Sequence, residues 1–420
     1  MSLNPSPAAV AAGRRTADRA ATAQHFARVR ARTLELAAPL SAEDQCVQSM
    51  PDASPTKWHL AHTSWFFEAV VLAAHAPGHQ PFNPRYFHLF NSYYEALGTR
   101  HPRPQRGLLT RPSLDDVHRF RAHVDAAIAR FLEEADDAAW QAAAPVITLG
   151  LHHEEQHQEL LLTDVLHAFS CNPLLPAYRE PEPPGLRLAK PAPLRWLAGP
   201  EGAVRIGHEG DGFAFDNETP RHTTWLQPYR IADRLVTCGE FAEFIADGGY
   251  RTPAHWLSDG WALAQAQGWQ APAYWLAPGD ARAPSDDWQV FGLDGVRPLE
   301  PGAPVMQLSF YEAAAYAQWA GARLPTEFEW EAACALPGMR QMTGHAWQWT
   351  RSSYDPYPGF RPWEGAIAEY NGKFMVGQVV LRGGSVATPA GHARPTYRNF
   401  FPPAARWQFS GLRLAKDGAC

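Results

Sequence analysis

Residues 149–167 read LGLHHEEQHQELLLTDVLH and lie within a helix that we predict from about Pro145 to Phe169. Apolar residues recur there at helical spacing among polar neighbours. His153 and His157 are four positions apart, so a helix projects both imidazoles from one face on adjacent turns. Two ring nitrogens at this spacing can converge on one metal ion. The segment therefore predicts a helix and a candidate metal site, while among the 18 histidines of the chain such a pair can also arise by coincidence.

Three further helices are expected before this one, and together the four suggest a helical bundle. We predict them from Ala20 to Ala38, from Lys57 to Ala76, and from Pro112-Ser113 through Phe131. In the last of these, Asp116 follows Ser113 by three residues, which is close to the pattern of a capping box. The stretch 86–111 would then be a long crossover between the second and third helices.

A third metal ligand is expected from the second helix. Facing helices of a bundle commonly supply ligands to one site, and His62 lies in an apolar part of that helix. His59 and His152 precede the better candidates and are expected to point away from the shared face. Three neutral imidazoles suit zinc and ferrous iron alike, so the ligand type leaves the metal open.

The chain changes character after about residue 172. Residues 172–193 read NPLLPAYREPEPPGLRLAKPAP, and this density of proline favours an extended linker. Beyond it, short segments are punctuated by Gly, Pro, Asn and Asp, with predicted helices at 237–247 and 309–320, which indicates a loop-rich α+β domain. We predict a disordered tail, a helical bundle with the metal site, a linker and an α+β domain, at 1–20, 21–172, 173–193 and 194–420.

The composition limits the possible partners of the chain. A net charge of −6 gives no field that would draw it to nucleic acid or to an anionic membrane. No run of apolar residues is long enough to span a bilayer, and the N-terminal stretch lacks the apolar core of a signal peptide. The five cysteines are widely spaced, which is typical of reduced thiols. We expect a cytoplasmic protein that acts on small molecules.

The motif at 153–157 also has a second interpretation. It matches HExxH, the zinc-protease pattern in which the glutamate, here Glu154, acts as a general base. Leu160 and Thr163 stand where a glycine-containing extension of the motif would continue. A zinc-dependent hydrolase is therefore the alternative to an oxygen-dependent iron enzyme, and a module that only binds its ligand is a third possibility.

The two halves of the chain resemble two known domain families. The first half is similar to DinB-like four-helix domains. The second is similar to the loop-rich, C-type-lectin-like domain of the formylglycine-generating enzymes, through RLPTEFEWEAA (323–333), GHAWQWT (344–350), VLRGGS (380–385) and FSGLRLA (409–415). In this order they resemble the hercynine sulfoxide synthases of ergothioneine biosynthesis, as do PTKWHLAHTSWFFE (55–68), FNSYYEALGTRHPRPQRGLL (90–109), EYNGKFM (369–375) and RPTYRNFFPPAARWQFSG (394–411).

This resemblance implies Fe(II) held by His62, His153 and His157, with O2 as co-substrate. It implies attachment of a thiol sulfur to C2 of the imidazole of hercynine (trimethylhistidine), giving a sulfoxide, with cysteine or γ-glutamylcysteine as donor. A related branch, the selenoneine synthases, couples a selenosugar to the same acceptor. Val376-Gly377 stand where the sulfur enzymes are expected to have a Cys-Asn-type sequence, so the donor and the branch stay open.

The resemblance also assigns roles on the metal side of the site. Tyr93 or Tyr94 corresponds to the active-site tyrosine, a phenol that can deliver a proton near the metal, and Tyr93 is favoured. Gln156 resembles the glutamine that touches the substrate imidazole. The alternatives are two packing tyrosines and an amide that fixes the tautomer of a ligand.

Further residues are implied in substrate binding. Asn399 matches an asparagine near the betaine carboxylate, and Phe400, where some relatives have tryptophan, could offer a weaker cation–π face to the trimethylammonium group. Arg103 and Arg106 are spaced like a pair that binds the donor carboxylate, although such a cluster is more often a solvated basic loop. The stretch 383–398 contains no cysteine, which argues against the copper chemistry of sulfatase activation.

Overall fold

The computed structural model describes residues 18–180, 193–364, 367–368 and 370–418, which divide into two compact units. The first contains the described residues up to 161 together with 208–215 and those of 363–369, and the second contains the remainder. The predicted tail and linker lie largely outside the described residues. The predicted domain boundaries stay a prediction. In the described ranges, no helix combines the length and apolar character needed to cross a membrane.

Long helices form the N-terminal part of the chain: α1 (Arg19–Ala37), α2 (Thr56–Phe66), α3 (Leu114–Glu134) and α4 (Asp137–Ser170). Helix α2 continues as a π-helical segment, Phe67–Leu72, and a last α-helical turn, Ala73–His75. The connections contain the short helical segments Asp44–Cys46, Tyr86–Leu89, Glu95–Leu97 and Arg103–Leu108. The predicted long crossover at 86–111 is therefore largely irregular, with short helical turns.

The start of α3 follows from its first residues. Ser113 Oγ accepts a hydrogen bond from the Asp116 N–H at 3.2 Å, and the Asp116 carboxylate accepts one from the Ser113 N–H at 2.9 Å. These bonds satisfy N–H groups that the first helical turn leaves free, so the predicted capping box is confirmed. The apolar stripe of α3 is buried as predicted, with Val117, Phe120, Val124, Ile128 and Phe131 in the core.

Helix α4 begins earlier than the sequence predicts. The expected start at about Pro145 is wrong, because the helix begins at Asp137 and contains Pro145 in its interior. Proline lacks one N–H and costs about 3 kcal/mol inside a helix. Trp140 and Ala143, five and two residues before Pro145, are buried in the core. The burial of this first part of the helix outweighs the cost of the proline.

The second unit contains the helices α5 (Cys238–Ala246), α6 (Ser258–Gln267), α7 (Phe310–Trp319) and α8 (Glu327–Ala333). The two helices predicted at 237–247 and 309–320 are confirmed as α5 and α7. Thr237 and Ser309 cap them in capping boxes with Glu240 and Glu312. Helices α6 and α8 were not predicted, because they are short and lie among irregular segments.

The strands are short: β1 (Trp196–Ala198), β2 (Gly202–Ile206), β3 (His222–Leu226), β4 (Tyr229–Ala232), β5 (Trp275–Leu276), β6 (Gln289–Gly292), β7 (Gly295–Pro298), β8 (Trp347–Ser353), β9 (Val379–Arg382), β10 (Asn399–Phe401), β11 (Ser410–Leu412) and β12 (Ala415–Asp417). They form sheets in the orders β1-β4-β12, β10-β9-β8-β11, β2-β3 and β5-β6-β7. Strands β8 and β11 pair in parallel, and the other pairs are antiparallel.

A buried ion-pair network organises the second unit. Arg398 binds Glu327 in a bidentate arrangement at 2.8 and 2.9 Å, and Arg382 lies 3.1 Å from the same carboxylate. Both guanidinium groups are buried, and their charges are compensated by Glu327 together with Glu331, which lies 2.8 Å from Arg382. The network connects α8 to β9 and to the residue before β10. Asn399 and Phe400 at the start of β10 are thus placed by residues of the core.

Candidate metal centre

Three histidine side chains meet within the first unit. His62 comes from α2, while His153 and His157 come from adjacent turns of α4. The distance from His153 Nε2 to His62 Nε2 is 3.2 Å, and that to His157 Nε2 is 3.1 Å. All three side chains are buried. These residues, called here the tri-histidine cluster, are the three that the sequence singled out as metal ligands.

Hydrogen bonds to the far side of two rings determine which nitrogen faces the cluster. His62 Nδ1 lies 2.6 Å from the carbonyl oxygen of Phe90, which can only accept, so Nδ1 carries the proton and Nε2 keeps its lone pair. His157 Nδ1 lies 2.8 Å from His59 Nδ1. When His157 donates in that contact, its Nε2 also keeps a lone pair. Such contacts orient metal-binding imidazoles and fix their tautomer.

Two sequence expectations about the neighbouring histidines have different outcomes. The expectation that His59 points away from the site is wrong, because its ring contacts a member of the cluster. One turn of helix separates His59 from His62, so both lie close enough to face α4. His152 does turn elsewhere, since it stacks on Phe213 with ring centroids 3.9 Å apart and lies 2.9 Å from the Glu155 carboxylate.

The ring of His62 lies between two indole rings. Trp58 stacks on it with ring centroids 4.4 Å apart, and Trp65 with centroids 5.4 Å apart, both at an interplanar angle of 15°. The two tryptophans stand four residues before and three residues after His62, so helical spacing places them over and under it. The sequence contains this pattern, WxxxHxxW, but spacing alone does not reveal that the rings stack.

The cluster is electrically neutral near pH 7. Burial, with the neighbouring His153, holds the pKa values of His62 and His157 well below their ordinary value of 6.5. Burial also lowers the pKa of His153 to about 3, although the charge of Glu154 opposes this effect. Arg106 adds to the lowering at His62 and His157. Three unprotonated imidazoles can therefore offer their lone pairs to a cation.

The cluster has the dimensions and the chemistry of a transition-metal site. Nitrogen ligands bound to one ion at about 2.0–2.1 Å lie roughly 3 Å apart, close to the spacing observed here. Neutral imidazoles suit iron, zinc and copper, and three protein ligands leave further coordination positions for other molecules. These residues therefore fit a divalent metal such as Fe(II).

Glu154 does not face the cluster as a general base would. Its carboxylate accepts hydrogen bonds from Arg30 at 2.9 Å, from Thr33 at 2.6 Å and from Arg121. Burial alone would raise the pKa of Glu154, but Arg121 and Arg30 outweigh burial and lower the pKa to about 2. A carboxylate held between two arginines is a weak base. The geometry therefore argues against the hydrolase interpretation of the HExxH motif.

The other predicted residues of the first unit differ in their surroundings. Tyr94 is fully buried against Trp65, with ring centroids 5.6 Å apart, and Tyr93 is half-buried and stacks on Tyr94 at 4.9 Å. Gln156 is half-buried on α4 between His153 and His157. The rings thus form a chain of contacts, in which Tyr93 packs on Tyr94, Tyr94 on Trp65, and Trp65 on His62.

The two predicted arginines are not equivalent. Arg106 is buried, donates to Ser54 Oγ at 2.9 Å and Ser92 Oγ at 3.1 Å, and lies 3.4 Å above the Trp58 ring. Arg103 is exposed and donates to the carbonyl oxygen of Asp52. Only Arg106 is therefore packed beside the aromatic rings that enclose His62, and it is not part of a solvated loop.

Asn399 and Phe400 belong to the second unit. Asn399 Oδ1 accepts a hydrogen bond from the Phe400 N–H at 2.9 Å. Phe400 stacks on Tyr354 with ring centroids 4.0 Å apart at an angle of 11°. Both residues are half-buried. Their roles in substrate binding stay predictions.

Comparison with known proteins assigns each half of the chain to a domain family. Residues 25–161 match the DinB superfamily, and 196–338 with 335–418 match the sulfatase-modifying factor enzyme 1-like domain. These matches confirm the predicted fold class, a DinB-like helical region followed by a formylglycine-generating-enzyme-like domain. A formylglycine-generating enzyme of Streptomyces coelicolor is 34% identical, but the match covers 37% of this chain and 54% of that protein.

Two relatives match this chain through both domains and over nearly their whole length. The hercynine oxygenase of Mycobacterium tuberculosis is 32% identical, with 94% of this chain and 98% of that protein covered. The hercynine oxygenase of Mycolicibacterium thermoresistibile is also 32% identical, with 95% of each chain covered. Because the identity extends through both domains and over nearly the whole length of these proteins, the chain belongs to the hercynine oxygenase family.

Proposed function

We propose that this chain is an iron(II)-dependent oxygenase that uses O2 to join a chalcogen atom to C2 of the imidazole of hercynine. The observation that carries the proposal is the tri-histidine cluster, three buried and neutral imidazoles that converge in a member of the hercynine oxygenase family. Iron and zinc suit such ligands equally well, and membership of an oxygenase family favours iron. The engagement of Glu154 by Arg30 and Arg121 supports this choice.

When bound, Fe(II) supplies oxygen activation and open coordination positions beside the ligands. The protein orients two of the three imidazoles through hydrogen bonds, because Phe90 and His59 contact the far nitrogens of His62 and His157. Trp58 and Trp65 hold the plane of the His62 ring and exclude water from its faces. A preorganised set of ligands avoids reorganisation during the reaction.

The remaining proposed roles concern the substrates. Tyr93 delivers a proton through its hydroxyl group, because a half-buried phenol can regain its proton from solvent. Gln156 accepts a hydrogen bond from the imidazole N–H of hercynine. Asn399 donates to the betaine carboxylate, and Phe400 offers its face to the trimethylammonium group. These assignments rest on the family resemblance.

The donor would be held by a carboxylate contact. Arg103 is exposed and free to reach a ligand once its bond to the Asp52 carbonyl is exchanged. Arg106 is packed on Trp58 and bonded to two serines, so it contributes mainly positive charge near the cluster. Cysteine, γ-glutamylcysteine and a selenosugar are the three donors to distinguish.

The test is a set of parallel reactions on full-length protein that has been loaded with Fe(II) under anaerobic conditions. Hercynine and O2 are supplied with cysteine, γ-glutamylcysteine or a selenosugar, and products are identified by mass. A sulfoxide from one thiol identifies a sulfur enzyme and its donor, and a selenium adduct from the selenosugar alone identifies a selenoneine synthase. No product from any donor, with no hercynine-dependent O2 uptake, contradicts the proposal.

A further inference from the structure

A second group of metal-binding side chains lies in the first unit, apart from the tri-histidine cluster. Glu68, His79 and His123, called here the Glu68 cluster, bring one carboxylate oxygen and two ring nitrogens within 4.8 Å of one another. Glu68 Oε1 lies 3.4 Å from His79 Nε2 and 3.9 Å from His123 Nε2. One carboxylate and two imidazoles form a donor set that divalent transition metals prefer.

The cluster contains a buried polar atom, His79 Nε2, whose hydrogen-bonding capacity is not satisfied among the described residues. The side chains of Glu68 and His79 are only 2% and 7% exposed. His79 Nε2 is enclosed and has no hydrogen-bond partner among the described residues, although it faces the carboxylate of Glu68. Buried polar atoms are almost always satisfied by protein, by water or by an ion. A cation between the nitrogen and the carboxylate would satisfy both groups.

The arrangement is close to the geometry of a four-coordinate site. Ligand atoms bound at about 2.0–2.1 Å in a tetrahedron lie about 3.3 Å apart. The distance of 3.4 Å between His79 Nε2 and Glu68 Oε1 matches this spacing, whereas His123 Nε2, at 3.9 Å from the same oxygen, would have to move closer. His123 Nε2 lies 3.1 Å from the carbonyl oxygen of Gln80, which can only accept, so Nε2 carries the ring proton in this arrangement. Metal binding would exchange this hydrogen bond and move the proton to Nδ1, which leaves the carbonyl as a further oxygen donor. A small movement of the His123 side chain would bring its ring nitrogen within coordination distance of an ion bound to Glu68 and His79.

The backbone around the cluster holds it in place and leaves an entry path. Glu68 is the second residue of the π-helical segment, and its carboxylate also accepts a hydrogen bond from the Phe82 N–H at 2.9 Å. Segments that contain a π-helical turn are frequent at functional sites. The His123 side chain on α3 is 35% exposed, so an ion can reach the cluster from solvent.

We propose that Glu68, His79 and His123 bind a divalent cation of the zinc class, separate from the tri-histidine cluster, with a structural role. The ion connects the π-helical segment, which carries Glu68, to His79 in the turn after Ala73–His75 and to His123 on α3. It is held by protein groups on three sides. Because metal binding to a folded site stabilises the fold, this ion would stabilise the α2–α3 pairing rather than take part in catalysis.

The test is a zinc count on the full-length protein after equilibration with Zn(II) and removal of free metal. The three imidazoles of the tri-histidine cluster also suit zinc, so wild type is expected to hold about two ions per chain. His123→Ala and His153→Ala should each hold about one, and the double variant about none. His118→Ala, on the same helix but outside the cluster, should match wild type.

A second readout separates binding from a change of fold. In the His153→Ala background, Zn(II) should raise the unfolding temperature, and adding His123→Gln, which keeps the volume of the side chain, should remove that rise. Circular dichroism checks that each variant is folded. His123→Ala and His123→Gln proteins that bind as much zinc as their parents would overturn the proposal, and would leave Glu68 as a carboxylate that pairs with histidine alone.

Discussion

Trp58 stacks face to face on His62, with ring centroids 4.4 Å apart and an interplanar angle of 15°. The two residues are four positions apart on α2, so the helix itself sets the stack. The Arg106 guanidinium lies over the same indole, 3.4 Å from the ring centroid. The orientation of a proposed metal ligand is thus determined by packing as well as by its hydrogen bond to Phe90.

Trp58→Leu should therefore loosen the His62 ring and raise the Kd for Fe(II) about 10-fold, the size typical for groups that orient a ligand. The measurement is an anaerobic Fe(II) titration. Trp140→Leu is the matched control, because Trp140 is also buried in a helix of the first unit but does not contact the cluster. Equal iron affinity in Trp58→Leu and wild type would show that the stack is not needed.

His59 should matter for metal binding although it is not a ligand. His59→Phe keeps a flat ring but removes the Nδ1 that contacts His157 Nδ1 at 2.8 Å. The tautomer of His157 is then no longer fixed, and the Kd for Fe(II) should rise about 10- to 100-fold. His152→Phe is the control, since that ring stacks on Phe213. A rise of similar size in the control would contradict the assignment.

Glu154→Gln distinguishes the two interpretations of the HExxH motif. The carboxylate is fully buried between Arg30 and Arg121, so its neutralisation leaves buried charge uncompensated and should lower the free energy of unfolding by about 3 kcal/mol. Urea unfolding measures this loss. Glu35→Gln, whose carboxylate is exposed and pairs with Arg32, should change it by less than about 0.5 kcal/mol. A fully stable Glu154→Gln protein would revive the hydrolase interpretation.

The same carboxylate predicts the acid sensitivity of the fold. The pKa of Glu154 is about 2 in the folded protein and near 4.5 in an unfolded chain, so the unfolded state binds more protons as the pH falls. Its contribution is fully present above pH 4.5 and is lost as the pH falls towards 2, about 3 kcal/mol in total. The difference in unfolding free energy between wild type and Glu154→Gln should shrink over this range. A difference that stays constant from pH 7 to pH 3 would exclude this origin.

Replacing Tyr93 and replacing Tyr94 should have different effects on kcat. Tyr93 is half-buried, whereas Tyr94 is fully buried against Trp65 and Phe66. Tyr93→Phe should lower kcat for product formation about 100-fold, with an unchanged Kd for Fe(II). Tyr94→Phe should stay within about threefold of wild type. The reverse pattern would assign the proton to Tyr94.

The periodic features of the sequence predicted most of the helical architecture. The stripe of α3 and the Ser113–Asp116 cap are local, so spacing along the chain was enough to find them. The start of α4 was misplaced because a proline suggests a boundary, while the burial of Trp140 depends on contacts that spacing does not reveal. Local patterns identify an element better than they identify its end.

The site was predictable only in part. His153 and His157 followed from their spacing, but the partners of Glu154 come from α1 and α3, far away in sequence. An HExxH motif has the same letters and the same helical geometry whether its glutamate faces a metal or a pair of arginines. The Glu68 cluster is likewise assembled from separated segments and has no linear pattern.

The three imidazoles of the tri-histidine cluster all come from α2 and α4, within the first unit. In evolutionary terms, the three proposed ligands lie within one continuous stretch of the chain, from His62 to His157. A recombination event that replaced everything after α4 would transfer this set of ligands whole. The second unit can therefore accumulate substitutions while the three proposed ligands stay unchanged.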